Sequence, residues 1–555
     1  MSTSIYEVLD ELDGQATSKA DKGSKLERLM AQFLRTDPVY AEQFSEVWLW
    51  QDWPGRGGKH DTGIDIVAVD RLTGGNVAIQ CKFFDPNSTI SKPDIDTFLS
   101  ASGKEGFTQR IIVSTTDKWN AHAEDAIQGQ QVPVRRIGLA DLEASTIDWD
   151  AFDWATPEAL PLTDKKKLRP HQSKAIEDVC RGLATADRGK LIMACGTGKT
   201  FTSLRLAEQL VGAGGSVLFL VPSISLLSQT LREWATEAEV PLASLAVCSD
   251  RKATARSKAT NEDISAVDLA LPSTTNAAVL ESRWTQAVGE ADSMTVIFAT
   301  YQSIDVVAQA QSQGGLPAFD LIVCDEAHRT TGTTLAGENE SAFVRIHDPA
   351  YIRGDKRLYM TATPRIYDDA SKAKAGEASA VLASMDNEDL FGEELHRLGF
   401  GEAVAQDLLA DYKVLVLAVD ETAVSRTFQL QLADEGNELR LDDAAKIVGC
   451  WNGLAKRGSA EHSFYADPAP MRRAVAFAGT IKDSKHIESL FAETVRQYAA
   501  AHDLDDADGE PVLTCEIQHV DGTFNALERN TRLDWLRADV PDGVCRILTN
   551  ARCLS

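Results

Sequence analysis

The chain has 555 residues, 43% of them apolar and 25% charged, and its 56 basic against 83 acidic side chains leave a formal charge of −27. The length suits about three to four domains of ordinary size, and the composition excludes collagen-like, disulfide-stapled and wholly disordered chains. The acid excess excludes a histone-like basic coat, although one local groove can still be positive on an acidic chain.

Residues 1–155 read as a small α/β unit. Apolar residues recur at helical spacing over 25–33. An aromatic, Gly-rich turn follows at 48–58, then strands over 64–69 and 77–84 joined by the turn signal Thr73-Gly74-Gly75. A helix is expected over 92–99, a buried strand over 110–114 and a weaker one over 134–137. Residues 156–168, with two Pro and the run Lys165-Lys166-Lys167, read as a linker.

From 169 to 370 strands and helices alternate, with strands expected at 189–194, 216–221, 295–299 and 321–324. That pattern makes a mostly parallel sheet with helices on both faces. Residues 251–293 show no clear period. A second unit of the same kind is expected from 371 to 555, with strands at 413–419, 475–478, 511–517 and 544–548 and a mainly helical insertion over 421–470. The chain stops at Cys553-Leu554-Ser555, directly after a strand, which reads as a truncated second unit.

The nine Cys form no CxxC pair, so a structural zinc site is not expected, and several thiols inside apolar runs read as reduced core residues. The N-terminal stretch has no apolar h-region and no apolar run reaches membrane-spanning length. The expected compartment is the cytoplasm, with no membrane partner.

Two clusters carry chemistry. The first is Ala194-Cys195-Gly196-Thr197-Gly198-Lys199-Thr200, which follows an apolar strand and opens a helix. It is a variant of the Walker A loop that lacks the first Gly of the general pattern. Gly196, Thr197 and Gly198 let backbone N–H groups close round phosphates at a helix N-terminus. Lys199 can reach the outer phosphates and Thr200 can hold Mg2+. Downstream, Asp325-Glu326-Ala327-His328 ends a strand, where open parallel sheets bind ligands. Asp325 is placed to act through Mg2+, Glu326 to orient or deprotonate water, and His328 to line the nucleotide site.

The second cluster is Gly63-Ile64-Asp65 with Gln80-Cys81-Lys82 on adjacent strands. Alternation puts Gln80 and Lys82 on one face and Cys81 on the core side. A carboxylate can hold a divalent metal while a nearby Lys orients or activates water. Trp48, Trp50 and Trp53 read as core or interface residues more readily than as stacking platforms for DNA.

The Walker A and DEAH pair resembles the superfamily 2 helicases and translocases over most of 168–555. In that resemblance Gln172, within Arg169-Pro170-His171-Gln172, contacts adenine. Val221-Pro222-Ser223 and Thr300-Tyr301-Gln302-Ser303 resemble strand-contact motifs, with Ser223, Thr300, Tyr301 and Thr363 as candidate polar or backbone DNA contacts; Tyr301 reads equally as a packed aromatic. Thr361-Ala362-Thr363-Pro364 resembles the motif coupling hydrolysis to movement. Phe477-Ala478-Gly479-Thr480, with Lys482 and Ser484 nearby, His519-Val520-Asp521-Gly522 and Ile547–Cys553 resemble motifs of a second RecA-like domain. The final motif, which carries the arginine finger, is absent and Arg552 does not replace it. A chain without that arginine is expected to bind ATP and hydrolyse it poorly.

The N-terminal cluster resembles the Mrr-like branch of the PD-(D/E)xK nucleases, in which Gln replaces the usual acid. The resemblance implies a metal held by Asp65 and Gln80, catalytic Lys82, and Glu27 as a further site residue. Asp61 is a candidate to supply the missing negative charge, and Ser91 and Lys92 are candidate phosphate contacts.

The whole order resembles the nuclease and translocase part of single-polypeptide, type ISP restriction-modification enzymes. The implied fold is a restriction-endonuclease α/β domain followed by two RecA-like parallel-sheet domains. The implied activity is ATP-dependent translocation on double-stranded DNA and endonucleolytic cleavage of unmodified DNA, with ATP and Mg2+. The implied partners are a methyltransferase and a target-recognition domain further along the chain, and a second copy for double-strand cleavage. Three other readings stay open: a stand-alone antiphage or repair helicase-nuclease subunit, a DNA-binding motor with an inactive nuclease, and a strand-separating helicase.

Overall fold

Helices α1 (Ile5–Gln15), α2 (Lys19–Thr36) and α3 (Pro38–Gln43) open the chain. The stripe Leu26, Leu29, Met30, Phe33 and Leu34 makes α2 amphipathic and buries one face. Ser18 caps its start, accepting the Asp21 N–H at 3.1 Å. Asp37 separates α2 from α3 by accepting the Val39 N–H at 3.1 Å, with Pro38 in the first turn that follows. This computed structural model describes residues 4–58, 63–103, 106–157, 159–249, 266–288, 292–334, 343–368, 381–411, 441–456, 469–501, 512–521, 524 and 526–551.

Strands β1 (Phe44–Leu49), β2 (Ile66–Asp70) and β3 (Asn76–Lys82) form an antiparallel meander. The expected turn is present: Asp70 Oδ1 accepts the Thr73 N–H at 2.9 Å. After β4 (Thr89–Ile90) and α4 (Lys92–Ser102) come β5 (Phe107–Ser114), β6 (Lys118–Trp119), α5 (Ala121–Ile127), β7 (Val134–Ile137) and α6 (Leu139–Glu143). The main sheet runs β1-β2-β3-β5-β7, with β3, β5 and β7 parallel. Trp50 packs on Trp53, and Trp53 on Phe107, so both belong to the core.

The next domain contains α7 (Pro170–Leu183), β8 (Arg188–Met193), α8 (Lys199–Leu210), β9 (Ser216–Val221), α9 (Ile224–Glu237), β10 (Leu242–Val247), β11 (Ser273–Thr274), β12 (Met294–Thr300) and β13 (Phe319–Cys324). Then follow β14 (Gly332–Thr334), β15 (Gly354–Thr361), β16 (Val381–Ala383) and β17 (Glu393–Leu398). Eight strands join in the order β11-β10-β12-β9-β13-β15-β8-β17, every neighbouring pair parallel. This is the mixed α/β architecture with a parallel sheet read from the sequence.

One boundary needs correction. Strand β17 pairs with β8, so this sheet extends past the expected limit at 370. The two strands fit because Gly189 has no Cβ, which would lie 2.4 Å from Leu395. The chain divides instead into Met1–Asp411 and Tyr412–Ser555. Nuclease-like and first motor-like domains therefore fall in one compact unit. Helix α3 packs on α9, and one hydrophobic cluster runs from Leu34, Val39 and Tyr40 to Leu231 and Trp234. The expected linker is pinned to α9, where Lys166 N–H donates to Glu237 Oε2 at 2.7 Å and Lys166 Nζ meets Glu233 Oε1 at 2.8 Å.

The second unit holds β18 (Arg473–Phe477), β19 (Thr514–Val520) and β20 (Val544–Asn550), parallel in the order β18-β20-β19. The helices Leu441–Leu454, Ile481–Ala501 and Ala526–Arg537 accompany them, around a core of Trp451, Leu490, Phe491, Val495 and Ile547. The strand expected at 413–419, most of the insertion over 421–470, and Arg552 lie outside the described residues. Among the described residues no helix is long and apolar enough to cross a membrane.

Candidate nuclease and ATPase sites

The β2–β3 register sets the first site. Ile66 lies opposite Ile79, so Asp65 reaches the Gln80–Cys81 peptide, and its Oδ2 accepts the Cys81 N–H at 2.7 Å. Gln80 is 4% exposed, and its Nε2 donates to the Gly63 carbonyl at 2.8 Å. That bond fixes which end of the amide faces the protein. The other end, Oε1, is buried without a hydrogen-bond partner. A buried unpaired acceptor is costly; beside a carboxylate it has the chemistry of a hard-cation ligand.

Glu27 approaches from α2, which packs on β3. Burial pushes the Cys81 thiol well above its usual range, the Asp65 and Glu27 carboxylates push it further, and Lys82 opposes them. These charges therefore share one neighbourhood. Lys82 also helps hold the Asp94 carboxyl below its usual range, after the dominant hydrogen bonds from Ser91. Those bonds make Ser91 the cap of α4. Asp61 lies outside the described residues, and among the described ones no group of three or more His, Cys, Asp or Glu is arranged to hold a metal. Asp65 and Gln80 thus fit a divalent ion as a carboxylate and an amide oxygen.

The second site lies at the C-terminal ends of β8 and β13. Gly196 and Gly198 take φ of +80° and +84°, a region costly for other residues. Thr197 Oγ1 ties the turn to the Ala194 carbonyl at 2.7 Å. Lys199 begins α8, and its Nζ rests 3.3 Å from the Met193 carbonyl. Thr200 follows in the same first turn, where orphan N–H groups favour phosphate. A feature missed in the sequence is His171, whose Nε2 lies 3.0 Å from the Thr197 carbonyl. Gln172 is bound at both ends of its amide: Oε1 accepts the Arg169 N–H at 2.9 Å and Nε2 donates to Thr197 O at 3.4 Å. Each end of the amide keeps a second valence, one N–H and one lone pair, which an adenine contact by Gln172 would use.

Asp325 is buried, and Glu326 N–H donates to its Oδ1 at 2.9 Å. Burial raises the Asp325 carboxyl to about 6, with the Glu326 carboxylate adding to the rise and Lys199 opposing it. Glu326 itself has φ +47° and ψ +46°, a left-handed conformation rare for Glu and found where function holds strain. His328 Nδ1 lies 3.2 Å from Glu326 Oε2 and 3.0 Å from Thr361 Oγ1. Thr361 Oγ1 then accepts the Thr363 N–H at 3.2 Å, so the DEAH and TATP strings form one chain of contacts.

Among the candidate DNA contacts, Thr300 ends the interior strand β12 and Tyr301 follows it, and both side chains are buried, which for Tyr301 is the packed-aromatic arrangement. Tyr301 OH donates to the Asp325 carbonyl at 2.8 Å, which supports the strand end from below. Ser223 caps α9, and Thr363 is exposed.

In the second unit, three strings far apart in sequence converge. Ser484 Oγ lies 2.7 Å from His519 Nδ1 and 3.0 Å from Thr549 Oγ1. His519 Nε2 lies 2.8 Å from Asp521 Oδ2, which also meets Lys485 at 3.4 Å. Ser484, His519, Asp521 and Thr549 are all buried, so the cluster braces the C-terminal ends of β19 and β20.

These sites define a nuclease-type domain joined to a helicase-type ATPase. Residues 35–159 match the family model "Restriction endonuclease" of the Mrr type, and residues 165–366 match "Type III restriction enzyme, res subunit". The chain is similar to the solved structure of the ATP-dependent Type ISP restriction-modification enzyme LlaBIII bound to DNA, with 38% identity and a TM-score of 0.78, covering 98% of this chain and 34% of that one. A nuclease-deletion mutant of the Type ISP enzyme LlaGI matches at 34% identity over 69% of this chain and 25% of its own, with a TM-score of 0.46. Probable helicase A859L of African swine fever virus is 30% identical over 257 residues, 46% of this chain and 25% of that protein. The chain therefore spans about a third of the first solved relative and a quarter of the viral one. Its two matched segments set a restriction-endonuclease-type domain before a helicase-type domain, in a chain similar to part of the Type ISP enzyme LlaBIII.

Proposed function

We propose that this chain is the nuclease and translocase part of an ATP-dependent restriction enzyme that moves on double-stranded DNA and cuts unmodified DNA. The observation that carries the reading is the buried, partnerless Oε1 of Gln80 beside Asp65, in a domain welded to a Walker A–DEAH pair. Asp65 and Gln80 would hold the nuclease metal, which supplies Lewis-acid stabilisation of a phosphodiester. Lys82 would orient water, and Glu27 would set the local charge. Thr200 and Asp325 would hold Mg2+ with ATP; Gly196, Thr197, Gly198 and Lys199 would bind the phosphates, and Glu326, positioned by His328, would orient water for hydrolysis. The proposed setting is the cytoplasm, with a methyltransferase, a target-recognition domain and a second copy of the enzyme as partners.

The test runs the full chain with supercoiled plasmid, Mg2+ and ATP. Lys199→Ala should stop ATP hydrolysis and translocation. Asp65→Ala or Lys82→Ala should stop cleavage and leave both intact. Normal cutting by Lys82→Ala would overturn the nuclease assignment. One observation favours a motor with an inactive nuclease: Gln80 supplies no charge, and among the described residues no group of three or more His, Cys, Asp or Glu is arranged to hold a metal. Under that reading ATP hydrolysis persists and no divalent metal supports nicking.

A further inference from the structure

Strand β7 is an edge of the nuclease sheet, and it is short and carries two consecutive arginines, Arg135 and Arg136. Successive residues on a strand point to opposite faces. Both are nevertheless held by one short stretch of the motor domain, residues 266–271, which lies between β10 and β11. Arg135, on one face, is buried and donates to the Ala270 carbonyl. Arg136, on the other face, makes a two-pronged pair with Asp268: Nε to Oδ1 at 2.7 Å and Nη2 to Oδ2 at 2.9 Å. Glu124 of α5 takes its remaining prong, and its guanidinium lies 5.1 Å over the Trp119 ring. The motor segment thus straddles the open edge of the nuclease sheet, where unpaired backbone would otherwise face solvent. A second ionic contact, Arg232 of α9 with Asp141 of α6, clamps the same two domains beside it.

We propose that residues 266–271 form a coupling strap and that Arg136 and Asp268 are positioning residues for cleavage. Through them the first motor domain carries the nuclease at a fixed orientation, so that ATP-driven movement presents DNA to the nuclease site. A planar, bidentate pair with a third contact on the same guanidinium fixes direction as well as distance, which a single Lys contact cannot do. The inference rests on the nuclease-motor reading given above.

The test compares the full wild-type chain with Arg136→Glu, Asp268→Arg and the double swap. Each is assayed for DNA-stimulated ATP hydrolysis and for ATP-dependent cleavage of double-stranded DNA. Each single variant is expected to lose about tenfold or more in cleavage and to keep ATP hydrolysis within about twofold, and the double swap to recover part of the loss, because it restores the ionic pair while a carboxylate at position 136 still faces Glu124. Asp268→Asn, a milder change, should lower cleavage in the same direction. Cleavage at wild-type rates in the single variants would overturn the proposal. A parallel fall in ATP hydrolysis, or no recovery in the swap, would reduce the contact to general packing and also overturn it. All variants are made in the enzyme that also carries the proposed downstream domains; if the wild-type form of that enzyme neither hydrolyses ATP nor cuts, the functional reading fails and this inference with it, and that failure is distinguishable because it appears without any substitution.

Discussion

Replacing Gln80 by Leu should separate stability from function. The side chain is 4% exposed and makes one hydrogen bond, from Nε2 to the Gly63 carbonyl at 2.8 Å. Losing a bond of this kind costs about 1 kcal/mol. The native residue also buries Oε1 without a partner, a liability of about 1–3 kcal/mol that Leu removes. The two effects offset each other, so thermal melts without metal should place the variant within about 2 kcal/mol of wild type. Metal binding adds a separate signature. A ligand at a hundredfold excess over its Kd stabilises the folded form by about 2.7 kcal/mol. Mg2+ or Mn2+ should stabilise the wild-type chain by such an amount, seen as a higher melting temperature, and Gln80→Leu by far less, and nicking should fall by about 100-fold or more. A variant that nicks normally, or keeps the metal-induced rise, would refute the assignment of Oε1 as a ligand. A variant destabilised by more than about 3 kcal/mol would show that Gln80 is held for packing.

The raised carboxyl of Asp325 carries a pH dependence. Because its folded pKa of about 6 exceeds the ordinary 3.8, the native state favours the protonated form, and stability falls as pH rises between those values. Asp325→Asn should therefore melt higher than wild type at pH 7, by an amount on the order of 2–3 kcal/mol, and the gap should close toward pH 4. A gap unchanged across that range refutes the cause. Gly198→Ala should abolish ATP binding in a filter or fluorescence assay, since φ is +84° and a Cβ there would lie 2.4 Å from Gln172 Nε2. Full affinity would show that the loop can rearrange. Trp234→Ala, at a fully buried ring packed edge-on against Phe219 and Phe298, should cost about 3–5 kcal/mol, read by chemical denaturation.

Short-range chemistry was the legible part of the sequence. Gly198-Lys199-Thr200 and Asp325-Glu326 announce themselves because their loop and strand-end geometry is built from neighbouring residues. The facing of Asp65 and Gln80 was equally readable, since an antiparallel pair and a period of two fix it. Strand β17 was not, because Glu393-Glu394-Leu395-His396-Arg397-Leu398 is polar and belongs to a sheet edge held by the gap at Gly189. Whether Tyr301 packs or faces DNA was open in the sequence, because the sheet order that buries the end of β12 is a tertiary fact. The left-handed Glu326 and the reach of Asp268 onto β7 also depend on long-range packing that no local pattern encodes.

The continuous apolar cluster from α3 to α9 has a consequence for how such proteins can be rearranged. Residues 4–411 should unfold in one cooperative calorimetric transition, because Leu34, Val39 and Tyr40 share their interior with Leu231 and Trp234. A nuclease excised at the linker would present that surface to water, and a nuclease grafted from a relative would meet an α9 shaped for a different partner. Domain exchange across this seam therefore has to move both faces together, so that the cutting module and its motor are inherited as one piece.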